Sequence, residues 1–398
     1  MEETKNKINI SDYLIDGPSQ KVLHKFKLGG EDKKSISKKI IIFSMLSWLP
    51  LLILSMIEST AINPAIKIPL LYDFVLYIRV FVALPLLFIA ERVIRFFSNR
   101  SLGHFIESGI VADNNIKDYE DNLKFFGRLK DSGIIDVIIL VISYSIVIWG
   151  WANIWKYYKV DDILTSWQFS LNAPGQFSLT GYWYAFITMP VFIFFFLKLF
   201  WKFLLWAIFL FKVSKMKLNI FPTDPDRAGG LAFLGYDQVF FGILGFIQNT
   251  ILSAEIASKI IYTDAELADF KFIIIGIILL FTFIFISPMF FFVKKLMQTK
   301  LKGIVDYGVT SHKYVSGFHD KWINGNNPEG EKLLGSADIQ SLADLFNSYG
   351  IIKTMIAFPI DMRKVIALIL IVSIPFFPLA LFVIPVSDIF KALAGLVF

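Results

Sequence analysis

Charged side chains set inside long apolar runs are the residues of this chain best placed to do chemistry. Asp73 and Arg79 fall in one such run, and Lys198 and Lys202 in another. The two lysines are spaced i,i+4 and so share one face of a helix. Glu255 and Lys259 repeat that spacing in a further run, with Asp237 near its start, and Asp136 opens yet another. Ionised groups are costly in hydrocarbon, so they face a bundle interior or water and mark ion or substrate paths. Arg79, Lys198, Lys202, Asp73 and Glu255 are therefore the pore or ligand candidates. The plainer alternative is structural. The lysines can snorkel to an interface or pair with carboxylates, Lys259 can neutralise Glu255, and Arg79 can sit in a buried ion pair.

The densest polar motif is the loop Phe221-Pro-Thr-Asp-Pro-Asp-Arg-Ala-Gly-Gly230. Pro225 restricts Asp224, while Gly229 and Gly230 permit a tight turn and close backbone approach. Asp224, Asp226, Arg227, Gly229 and Gly230 are expected to form a gate or a clamp between the flanking spans. Thr223, Asp224 or Asp226 is expected to cap the next helix. Two carboxylates are weak grounds for a cation, and His312 with His319 lacks the further ligands that a zinc site needs. The chain has no cysteine, which removes disulfides, thiolate ligands and a cysteine nucleophile. It also lacks a P-loop, a nucleophile elbow and a plausible catalytic triad. No catalytic residue, metal or cofactor is assigned.

The elements that must position these groups follow from hydropathy. Of the 398 residues, 56% are hydrophobic and 18% charged, with 42 phenylalanines. Apolar runs begin near Ile40, Leu70, Ile134, Tyr182, Val239, Phe272 and Val365. Crossing a bilayer core takes ~20 helical residues, and in hydrocarbon the backbone must satisfy itself. The expected fold is an all-α integral membrane protein of about seven transmembrane helices, carrying two amphipathic helical cytoplasmic insertions. Residues 1–37 form a polar cytoplasmic tail. Residues 38–398 form one transmembrane domain, with the insertions at 97–132 and 294–363. The fourth run is overlong and Pro190 is expected to kink it. The sixth continues to about Ile323. A helix opened by Ser336 or Asp338 then sets Ile339, Leu342, Leu345 and Phe346 on one face. Pro375 and Pro378 should kink or locally unwind the seventh span, and Val386–Phe398 is too short to cross again.

Lysine and arginine gather in the connections on one side of these spans, including Arg92, Arg95, Arg100, Lys294 and Lys295. By the positive-inside rule the N-terminus is cytoplasmic and the C-terminus lies on the outer side. That distribution assigns the formal charge of +6 to topology and argues against nucleic acid. The expected partners are the lipid bilayer, further copies of the chain in a homo-oligomer, and a cytoplasmic protein held by the insertions.

The stretch from Phe221 to Gly235 resembles the central signature of an uncharacterised family of bacterial integral membrane proteins. There the loop reads Pro-Thr-His-Pro-Asp-Arg-Ala-Gly-Gly-Leu, with His where this chain has Asp224. Lys198-Leu-Phe-Trp-Lys202 looks like that family's basic-Trp-basic pattern. Gly335-Ser-Ala-Asp-Ile-Gln-Ser-Leu-Ala-Asp-Leu345 is similar to a second signature. The resemblance implies a bacterial inner-membrane location and carries no activity with it. Three functions stand open: an oligomeric channel or transport protein for small ions, with basic groups favouring anions; a scaffold or sensor binding a cytoplasmic partner; and a lipid-modifying enzyme with a polar pocket near Asp224, Asp226 and Arg227.

Overall fold

The computed structural model describes residues 29–382 and Lys25, apart from residues 31, 131, 158–165, 171–175, 264, 327 and 329–330. The expectations for residues 1–24 and 26–28 and for Val386–Phe398 lie outside the described residues. Among the described residues the chain is helical, with isolated bridges and no strand. Seven helices are long and apolar enough to cross a membrane. The protein is an all-α, multi-pass membrane protein.

The spans are α1 (Lys33–Ile57), α2 (Phe74–Glu107), α4 (Gly133–Tyr157), α5 (Leu179–Lys215), α6 (Leu234–Tyr262), α7 (Leu267–Ile323) and α9 (Met362–Phe382). Two further helices, α3 (Ile116–Lys130) and α8 (Ala337–Thr354), lie in the insertions. Alternation along the chain puts the start of α1, the end of α2, α3, the 221–233 loop and the α7–α8 hairpin on one side, called here the hairpin side.

Helix α6 is the centre of the bundle and packs against α2, α7 and α9. Its glycines explain how closely α9 approaches. A Cβ at Gly235 would meet Lys364 and Ile360, one at Gly242 would overlap Leu368, and one at Gly245 would press on Val372 and Phe281. In hydrocarbon there is no hydrophobic drive to bring helices together, so small residues that let backbones touch supply the packing.

Besides the one that ends α7 at His319–Ile323, two widened π turns occur, Ile78–Ala83 in α2 and Tyr184–Thr188 in α5. Such turns loosen the backbone ladder, and neighbours supply hydrogen bonds at both. Ser44 of α1 donates to the Val80 carbonyl at 3.0 Å, and Tyr144 of α4 donates to the Phe186 carbonyl at 3.0 Å. Hydroxyls from adjoining helices are the usual remedy for irregular backbone at membrane depth. The second π turn leads directly into Pro190, at the first turn of the next helical stretch, so the irregularity expected at that proline is a π turn just ahead of it. In α9 the helix tightens to 3-10 over Ile374–Phe382, around Pro375 and Pro378, because neither proline can donate to the ladder.

The insertions differ from their sequence expectation in detail. Helix α2 continues as far as Glu107, so the first insertion contributes one separate long helix. Its apolar face is buried against the protein, with Tyr119 and Phe126 stacked edge-on against Phe209 of α5. In the second insertion, Ser336 is the N-cap residue of α8 but makes no side-chain cap bond. Asp338 instead accepts from Lys321 and from the Trp322 indole, both at 2.9 Å, tying α8 back onto α7. Those bonds, Lys321 first, hold its carboxyl below the ordinary value of 3.8. The four apolar residues expected on one face of α8 divide. Leu342 and Leu345 are half-buried, whereas Ile339 and Phe346 are 44% and 76% exposed.

Candidate functional site

The intramembrane charges are brought together in two layers. The layer away from the hairpin side is built on the two π turns. Arg79 of α2 is 7% exposed and donates to the hydroxyl of Tyr184 on α5. Its second nitrogen pairs with Glu255 of α6 at 2.9 Å. Asp73 caps the helix that carries Arg79, accepting from Leu76 N at 3.2 Å, and also accepts the buried indole of Trp167 at 2.9 Å. Arg79, Asp73 and Glu255 thus share one region, and an ion pair with the half-exposed Glu255 holds the buried Arg79 there.

The layer nearer the hairpin side joins three helices. Lys198 of α5 pairs with Asp136 of α4 at 2.9 Å. Lys202, one turn on, forms an ion pair with Glu91 of α2, and Arg95 reaches the same carboxylate at 3.5 Å. The side chains of Lys198 and Lys202 are about nine-tenths buried. Their i,i+4 spacing does put them on one face, but that face meets carboxylates. A pair of lysines aimed into open water is not what forms. The physical reason is the cost of an unpaired ammonium at this depth, which Asp136 and Glu91 offset.

Cavities follow this layer along one face of α2. An open vestibule of about 790 Å³ is lined by Asp32, Arg92, Arg95, Phe96, Asn99 and Arg100. Arg95 and Asn99 also line a cavity of about 120 Å³ beneath α3, whose far wall includes Glu91 and Lys202. The same Glu91 and Lys202 line a cleft of about 420 Å³ between α1, α2, α4 and α5. The Glu91–Lys202 ion pair is therefore a partition between two cavities. Neither Glu91 nor Lys39, which lines the cleft and is 6% exposed, was distinguished by sequence alone. Each stands among other charges at the end of an apolar run, where a charge ordinarily marks the interface.

The 221–233 loop is organised by Asp226. One carboxylate oxygen accepts Ala228 N at 2.7 Å and Gly230 N at 2.9 Å, and the other accepts Ala232 N at 2.8 Å. Asp226 therefore ties the loop itself together ahead of α6, where a helix cap was expected. Asp224 accepts Asp226 N at 3.0 Å, and burial pushes its carboxyl above the ordinary value of 3.8. Arg227 adopts a left-handed φ of 57°, and its carbonyl accepts Ile356 N at 2.7 Å. Gly229 has φ +64°, and a Cβ there would overlap Ile220. Pro222 seats against Gly303 of α7. These contacts join the connection between α5 and α6 to α7 and to the segment before α9.

Asp237, at the start of α6, is 1% exposed. Among the described residues no group of three or more His, Asp or Glu is arranged to hold a metal ion. Nothing is found by comparison: no family model, no curated protein and no solved structure matches this chain.

Proposed function

We propose that the chain is a membrane transport protein for small ions, resident in a bacterial inner membrane with the hairpin side in the cytoplasm. The observation that carries this reading is the cavity series along α2, interrupted by the Glu91–Lys202 ion pair. Opposite charges that meet between two cavities form a closed gate, and parting them would join the spaces. Anion preference belongs to the vestibule, whose lining has Arg92, Arg95 and Arg100 with Asp32 as its acidic residue. A concave surface of one sign raises the local concentration of the opposite ion. Lys198 and Lys202 contribute less to selectivity than their charge implies, since each already has a carboxylate partner.

Flux in proteoliposomes tests the reading. Wild type should pass anions in preference to cations, and the double substitution Glu91→Gln with Lys202→Gln should raise basal flux by removing the gate. Reversing Arg92 and Arg100 to glutamate should move the reversal potential toward cations. A wild-type protein that passes no ion at any voltage or tension, together with a double variant equally silent, would exclude transport.

A second reading, a scaffold for a cytoplasmic partner, is favoured by the hairpin. Leu301, Val305 and Val309 of α7 recur at four-residue spacing and are each more than half exposed. The lipid-modifying enzyme has less support, because both carboxylate oxygens of Asp226 are engaged by backbone N–H groups of its own loop.

A further inference from the structure

The 420 Å³ cleft has a direction. Away from the hairpin side its walls are Phe186, Ile187, Pro190, Val191 and Tyr144, and an aromatic cluster of Phe43, Phe88 and Phe195 stands midway. Toward the hairpin side the lining turns to charge: Lys39, Lys198 and Lys202 against Glu91 and Asp136. Three ammonium groups and two carboxylates leave one positive charge in excess. Asp136 also retains one oxygen, Oδ2, with no hydrogen-bond donor from the protein. Val137 and Leu140 of α4 line the cleft while 60% and 43% exposed, so this wall is also a lipid-facing surface. An apolar slot that ends in net positive charge at the edge of the bilayer has the polarity of a lipid in that leaflet. Its volume lies in the range of small-molecule sites, about 300–1,000 Å³.

We infer that the cleft seats one acyl chain of an anionic phospholipid from the hairpin-side leaflet, with its phosphate at Lys39, Lys198 and Lys202. The bilayer is the source, because the slot lies along a lipid-facing helix and the chain enters sideways without crossing water. Lys202 also belongs to the Glu91 partition, so a lipid seated there plugs the membrane end of the cavity series in its closed form. The site itself is defined by its lining and does not depend on any ion being carried.

Photolabelling of the purified full chain in mixed nanodiscs tests this. Phosphatidylglycerol and phosphatidylcholine, each with a diazirine on one acyl chain, are supplied at equal mole fraction and adducts are mapped by mass spectrometry. Phosphatidylglycerol should label α1, α4 and α5 around Phe43, Leu140 and Phe195 several-fold more than phosphatidylcholine. Leu140→Trp, which obstructs the slot from a lipid-facing position, should remove most of that labelling. Lys39→Gln should bring the two lipids closer to equality. Val137→Trp gives the same obstruction one turn earlier should either variant fail to elute as a folded species. Equal labelling by both lipids, adducts spread evenly over all lipid-facing helices, or labelling unchanged by both tryptophan variants would overturn the proposal.

Discussion

Glu91 shows how much one carboxylate can decide at membrane depth. It answers both Lys202 and Arg95, so Glu91→Gln leaves two positive charges facing a neutral amide. Removing one partner of a buried pair costs on the order of 3–5 kcal/mol, whereas replacing both is far milder. Thermal unfolding in detergent should show a large loss for Glu91→Gln and a smaller one for Glu91→Gln with Lys202→Met. Equal losses would mean that the pair is not coupled. Asp226 is the counterpart outside the membrane. Its three backbone acceptor bonds are charge-assisted, at roughly 1.5–3 kcal/mol for such bonds. Asp226→Ala should therefore lower the midpoint well beyond the loss of an ordinary helix cap, and Asp226→Asn should recover part of it.

At the scale of helices, the α6–α9 contact and the start of α9 are the points most open to test. Gly242 faces Leu368 with no room for a side chain, so Gly242→Val must push α9 outward. That variant should unfold earlier and expose the α9 face to protease, while Gly276→Val, at a position with open space, should not. Helix α9 begins at Asp361, whose carboxylate accepts Lys364 N at 2.9 Å and pairs with Lys364 Nζ at 3.0 Å. Asp361→Ala should cost ~0.5–2 kcal/mol. The backbone N–H of Lys364, above all, holds this carboxyl below its ordinary value of 3.8. A lowered folded-state pKa contributes stability above the unfolded value that disappears as pH falls through the folded one. Wild type should accordingly lose stability below about pH 3.8, and Asp361→Asn, which keeps a cap without the titration, should lose less over the same range. Parallel pH curves for the two proteins would count against this role.

For the molecule as a whole, the arrangement of spans fixes which loops share a side. Asn114 and Asn326 lie on the hairpin side, and Gln176 lies on the other. The natural absence of cysteine makes single-cysteine labelling direct. An impermeant thiol reagent applied to intact cells should modify a cysteine at Gln176 and spare those at Asn114 and Asn326. Modification of Asn326 from outside would invert the proposed orientation without disturbing the fold. The projecting α7–α8 hairpin adds a separate test of the scaffold reading. Val305→Lys should abolish binding of a cytoplasmic protein and leave ion flux and the unfolding midpoint unchanged.

The number of spans, their helical character and the grouping of basic connections are set by local physics, which is why they are legible in sequence. A run of apolar residues long enough to cross a bilayer has one way to satisfy its backbone, and each run carries that instruction within itself. The same holds for Pro375 and Pro378, whose missing N–H groups break the α-helical ladder of α9 into a 3-10 stretch. The candidate charges Arg79, Lys198, Lys202, Asp73 and Glu255 were legible for the same reason, since each is conspicuous against its own apolar run. Their partners were not. Lys202 meets a carboxylate 111 positions away and Arg79 one 176 positions away, and no spacing rule links residues on different helices. Lys39 looks like an interface charge until packing buries it, and Glu91 until packing sets it between two cavities. Asp338 looks like a cap until Lys321 and Trp322 arrive from α7. Only the tertiary structure decided that the lysines face carboxylates and that Glu91 with Lys202 divides two cavities, because pairing of buried charges is settled by which helices become neighbours.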